Sequence, residues 1–191
     1  MWFETKRKRG IDVHGESLGE QPEERKQPSL TPIPEDPASE IRRKCDHLRD
    51  LKSQLCEALA RAGEQQIFVN REMDKQWANA SIVVRTQESW EVFIKALREL
   101  FVEDMRERLD SWVDRRKYPD LTRELHSIRL RRNYVEHRNS VEGREEEERC
   151  CLEDISKRLP TSANDWLILQ LKALDRLGRA LEATIEQIAR S

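Results

Sequence analysis

The sequence predicts an all-α fold, an antiparallel four- to five-helix bundle with a disordered N-terminal tail, and three observations carry that prediction. Glycine and proline are scarce, six and seven in 191 residues, so few breakers interrupt the chain. Between Gly63 and Pro119 there is neither. From Ser39 onward, apolar residues recur at steps of three and four, the period of a helix that buries one face.

Each element follows in order. Residues 1–37 hold Pro22, Pro28, Pro32, Pro34 and Pro37 among Glu, Lys, Ser and Gly. That composition buries too little apolar surface to offset its ordering entropy, so a flexible tail is expected before a bundle spanning 38–191. Ile41, Cys45, Leu48, Leu51 (or Lys52), Leu55 and Leu59 then mark a first amphipathic helix that Gly63 ends. A shorter helix from about residue 65 and one long helix from about 79 to 115 fit the stripes formed by Trp77, Ile82, Trp90, Phe93, Leu97, Leu100, Met105, Leu109, Trp112 and Val113. Tyr118-Pro119-Asp120 reads as a turn and helix start, with proline where its missing donor costs least, and the helix runs to about 138. Gly143 and the Glu145–Glu148 run suggest a loop, and Cys150–Leu159 a short helix before Pro160. Thr161 to Asp165 supply caps for a last helix faced by Leu167, Leu171, Leu174, Leu177 (or Gly178), Leu181, Ile185 and Ile188. The tryptophans at 77, 90, 112 and 166 fall on or near these stripes, which reads as core packing rather than base-stacking platforms.

Composition also bounds function. The 35 basic residues stand against 37 acidic ones, a net charge of −2, so no global field draws in nucleic acid and any polyanion site has to be local. Lys6-Arg7-Lys8-Arg9 places charge where a secretory signal needs an apolar core. Runs such as Ile82-Val83-Val84 fall far short of the roughly 20 residues of a membrane-spanning helix. A cytoplasmic protein without a membrane partner is expected. Cys45, Cys56, Cys150 and Cys151 show no C-x-x-C spacing and read as reduced thiols. Cys45-Asp46-His47 has no second ligand pair nearby, so neither a metal nor a cofactor is expected.

One helix breaks the apolar pattern. Its buried stripe runs Leu121, Leu125, Ile128, position 132, Val135, and position 132 is arginine. An arginine at a core position must snorkel, meet a buried acid or serve a ligand. A second stripe holds His126, Leu130, Asn133 and His137, placing the Asn133 amide one turn before the His137 imidazole. Arginine stands five residues before histidine at Arg9/His14, Arg42/His47 and Arg132/His137, but only the last pair has a polar asparagine next to the arginine on a helix late in the chain.

Leu130-Arg131-Arg132-Asn133-Tyr134-Val135-Glu136-His137 resembles the motif of the HEPN (higher eukaryotes and prokaryotes nucleotide-binding) family: arginine, a polar residue, a short spacer, then histidine. The upstream segment Ser81 to Phe93, with its aromatic-acidic pair, is similar to the long helix that precedes the motif in many bacterial members. Two residues after the histidine stands Asn139, where toxins paired with nucleotidyltransferases usually carry tyrosine.

The resemblance implies a metal-independent endoribonuclease, a toxin or antiviral defence effector with an antitoxin or defence-system partner, in which the ribose 2′-hydroxyl attacks the neighbouring phosphodiester. Arg132, Asn133 and His137 would be catalytic. Arg129, Arg131, Arg138 and His126 would form the local surface for RNA. The residue types suit this: histidine titrates near neutrality, and arginine holds phosphate at any pH. Residues five apart on a straight helix diverge by about 140°, so Arg132 and His137 of one chain do not meet at one phosphate, and the family's paired subunits imply a homodimer. The alternative from another class is a non-catalytic helical module that docks a protein or a nucleotide, with Arg132 structural.

Overall fold

Helix α1 (Pro37–Arg61) begins where Asp36 caps the Ser39 amide at 3.1 Å and proline occupies the first turn. It stops at Gly63, whose φ of 71° is the left-handed conformation. There the Gly63 and Glu64 amides donate back to the Ala60 and Leu59 carbonyls at 3.2 and 2.9 Å, the paired closure of a helix C-terminus. The computed structural model describes residues 33–106, 117–136, 149, 152–153 and 159–191, with the side chains of 133–136 outside that set. Residues 1–32 of the expected 1–37 tail and the Glu145–Glu148 run lie outside the described residues, as does most of the expected Cys150–Leu159 helix; the last position of that tail, Pro37, is instead the first residue of α1. Arg149, Leu152 and Glu153 of that region are helical, and Leu152 is buried.

Among the described residues the fold is all-α, with five α-helices. After α1 come α2 (Asp74–Ala80), α3 (Gln87–Arg98) with a π-helical turn over Glu99–Glu103, α4 (Pro119–Glu136) and α5 (Ala163–Ala189). No described helix is long and apolar enough to cross a membrane. The first and last helices follow the expected apolar faces, and the Ser162/Asp165 capping box starts α5 within the predicted capping segment.

The long helix expected over 79–115 is corrected by the structure. Residues 81–86 are not helical, and residues 65–73 form no helix either; 107–116 lie outside the described residues. Thr86 and Ser89 cap α3 reciprocally, each side chain accepting from the other residue's amide. The buried Gln170 amide on α5 satisfies the backbone of the break: its Oε1 accepts from Val84 N at 3.0 Å and its Nε2 donates to the Ile82 carbonyl at 2.7 Å. Apolar character continues through this break, since Ile82, Val83 and Val84 all pack on the core.

Helix directions follow from named contacts. Both Glu64, just past α1, and Gln187, near the end of α5, reach Lys117, and nearer their starts Lys44 pairs with Asp175. Helices α1 and α5 therefore run parallel, as the first and fifth helices do when successive helices alternate in direction. Helix α4 runs against α5, because Gln187 meets the chain before α4 while Arg176 meets Glu124 inside it. The core lies between them, with Trp90, Phe93, Phe101 and Phe68 fully buried. Trp77 packs edge-on to Phe101 at 5.8 Å and Trp166 tilts against Trp90 at 6.0 Å, so the described tryptophans serve packing. Trp112 lies outside the described residues.

Lys52 and Asp104 form a buried ion pair within this core. The Lys52 ammonium donates to Asp104 Oδ2 and to the Leu100 carbonyl at the π turn, each at 2.7 Å, and lies 5.0 Å from the Phe68 ring centroid. Asp104 also accepts from the Asn70 and Arg71 amides at 2.8 and 3.3 Å. Burial pulls the Lys52 ammonium below its ordinary pKa, and the Asp104 carboxylate opposes that shift.

Substitution at these buried polar groups checks both arrangements. Replacing Gln170 with leucine strips two backbone groups of partners and should lower stability by about 1–3 kcal/mol in urea unfolding; an unchanged midpoint would show that the break at 81–86 does not depend on that amide. Asp104→Ala leaves a buried ammonium without its counter-charge, with only the Leu100 carbonyl to accept from it, and strips two backbone donors of their partner; it should cost about 3–5 kcal/mol. Lys52→Met should cost less, because the Asn70 and Arg71 amides still hold the carboxylate; the reverse order of the two variants would contradict this geometry.

Candidate functional site

Helix α4 carries the arginine-asparagine-histidine segment, and its surroundings set what those residues can do. Pro119 occupies its first position, and the Thr122 amide closes the first turn onto the Tyr118 carbonyl at 3.0 Å. The helix packs against α3 on one side and α5 on the other. Two neighbours widen its buried arc, so Leu121, Leu125 and Ile128 are joined inside by Glu124, Ser127, Leu130 and Arg131.

This wide arc changes the arginine assignment. Arg131, expected on the RNA-facing surface, is 1% exposed, and Arg132, expected on the core stripe, is half-buried. The physical reason lies in the spacing. Positions seven apart on a helix differ by only about 20°, so Arg131 falls on the line of Glu124, the line that faces α5. A single narrow stripe against one neighbour selects position 132; a helix held between two neighbours selects 131 as well. Both arginines are engaged within the chain. Sealed in this way, Arg131 cannot belong to the surface of this subunit.

The remaining predicted residues divide between the described and the undescribed. His126 is exposed and Arg129 half-buried on α4. Asn133 sits on α4 beside Arg132, with its side chain outside the described set, and His137 and Arg138 lie outside the described residues altogether. The structure thus places Arg132, Arg129 and His126 on one helix, and the approach of Arg132 to His137 falls outside the described residues.

Away from the motif, the other candidates do not converge. Cys45 turns inward, donates to the Ala80 carbonyl at 3.4 Å, and has its thiol pushed up to about 11 by burial. His47 turns outward to Glu182 at 3.0 Å. Cys56 is buried, and burial raises its thiol as well, while Cys150 and Cys151 lie outside the described residues. No group of three or more metal-ligating side chains gathers among the described residues.

Sequence reasoning missed a charged seam between α4 and α5. The Arg176 guanidinium donates twice to Glu124 Oε1, at 3.0 and 2.7 Å, and the Glu124 side chain is only 6% exposed. The seam opens into a groove of about 440 Å³ whose walls include Asp120, Arg123 and Arg179 and whose floor is Ala180 and Ala183. A signal was present: Lys172, Arg176 and Arg179 recur at steps of four and three on α5, the spacing of one helix face. No family model matches the chain, and no curated protein or solved structure matches it.

Proposed function

We propose that this chain is a metal-independent endoribonuclease of the HEPN type, a toxin or antiviral defence effector, with Arg132, Asn133 and His137 as its catalytic residues. The observation that carries this reading is the setting of Arg132: it is half-buried near the end of α4, adjacent to Asn133 and five residues before His137, while Arg131 occupies the sealed position. A half-buried arginine keeps part of its side chain at solvent; a sealed one does not.

In the proposed reaction the ribose 2′-hydroxyl attacks the adjacent phosphorus, and the bond to the 5′-oxygen breaks. Imidazole takes the hydroxyl proton, imidazolium returns one to the leaving oxygen, and Arg132 stabilises the charge that builds on the phosphoryl oxygens. The products are a 2′,3′-cyclic phosphate and a 5′-hydroxyl. Asn133, one turn before His137, orients the ring. Because residues five apart on one straight helix diverge by about 140°, the reading includes a homodimer in which Arg132 of one subunit and His137 of the other share a phosphate.

Incubation of the purified chain with mixed RNA in EDTA tests this directly. Wild type should cleave, and Arg132→Ala and His137→Ala should each lower the rate by about 100-fold or more. Equal cleavage by all three proteins would remove these residues from any cleavage seen, and no cleavage by wild type would leave a non-catalytic helical module instead.

A further inference from the structure

Two grooves flank α5, and Arg179 borders both. In the one between α1 and α5, Lys44 pairs with Asp175, His47 with Glu182 and Arg43 with Glu40. Between α4 and α5, three guanidiniums face two carboxylates. Glu124 is already bound by Arg176, and Asp120 is held by Arg123 at 2.8 Å. Arg179 is exposed and makes no hydrogen bond or ion pair among the described residues, so the net positive charge of this groove centres on it.

Helix direction gives the groove an orientation. Since α4 runs against α5, the line Arg179, Arg176, Lys172 climbs α5 toward the end of α4 that carries Arg132. The seven residues from 179 back to 172 cover about 10 Å of helix axis, and the small Ala180 and Ala183 side chains keep the floor low.

We propose that this α4–α5 groove is a backbone track for single-stranded RNA, with Arg179 and Arg123 as its phosphate-binding side chains and Arg176 as the residue that the buried Glu124 positions. The proposal rests on the ribonuclease reading for its ligand, and it adds a substrate path that the Arg132 motif does not supply. The track recognises backbone rather than base, because guanidiniums without a base-edge partner carry no sequence information. Asp120 and Glu124 limit its affinity by facing the same space, and their pairing with Arg123 and Arg176 keeps those guanidiniums fixed in orientation.

Fluorescence anisotropy of a labelled, non-cleavable 2′-O-methyl RNA oligonucleotide with the full chain, measured across a sodium chloride series, tests this track. The double variant Arg123→Ala/Arg179→Ala should bind about tenfold more weakly, and its salt slope should fall by about 0.7 for each phosphate that is no longer neutralised. Arg179→Lys should keep the slope. Both positions are exposed, so circular dichroism of the double variant should match wild type. Unchanged affinity and slope in the double variant, with wild type cutting RNA, would overturn the track alone. Binding through Arg179 by a chain that cuts no RNA would support the track and overturn the nuclease reading. A wild type that fails to bind the probe at low salt would overturn the track.

Discussion

A buried ammonium, that of Lys52, organises the half of the molecule around α1, α3 and the segment between them. An unpaired charge in that position would cost several kcal/mol, so the surroundings have to answer it completely. They do so from three directions: Asp104, the Leu100 carbonyl at the π turn, and the faces of Phe68 and Phe101 at 5.0 and 5.5 Å. Asp104 in turn fixes the segment after α1, where Asn70 takes the left-handed φ of 62° that asparagine tolerates better than most residues. The Val69 and Arg106 amides complete the junction by donating to the Asp104 and Ile67 carbonyls at 2.8 and 2.9 Å. One ion pair thereby joins α1, the 67–71 segment and the end of the α3 unit.

The other half of the molecule is ordered by α5. Its Gln170 amide holds the break between α2 and α3, its Arg176 holds Glu124 of α4, and its Gln187 holds the chain entering α4 at Lys117. These anchors place α4 between α3 and α5 and determine which of its arginines is sealed. The candidate chemistry at the end of α4 is a consequence of that packing: with Arg131 committed inside, Arg132 is the neighbour left half-buried beside Asn133.

Legibility in the sequence followed the strength of the local physics. Helices α1 and α5 were readable because their apolar faces are long and regular and because Gly63 and the Ser162/Asp165 pair are strong stop and start signals. Lys52 was even placed at the edge of the α1 stripe, although its partner 52 residues later was not visible. The α2–α3 break was missed because hydrophobic period is blind to a Thr86/Ser89 cap and to an amide supplied from 86 residues away. The swap of Arg131 for Arg132 has the same origin: periodicity reports which side of a helix is apolar, not how many neighbours will cover it. The α4–α5 seam was legible in part, as a basic line on α5, but its acidic answer lies on another helix.

The central claim is that the end of α4 directs a ribose hydroxyl onto its own phosphodiester without a metal. Chemical identification of the RNA ends produced in EDTA tests it most directly. The account predicts 2′,3′-cyclic phosphate on the upstream fragment and 5′-hydroxyl on the downstream one. Fragments ending in 3′-hydroxyl and 5′-phosphate, formed only when a divalent cation is added, would contradict it.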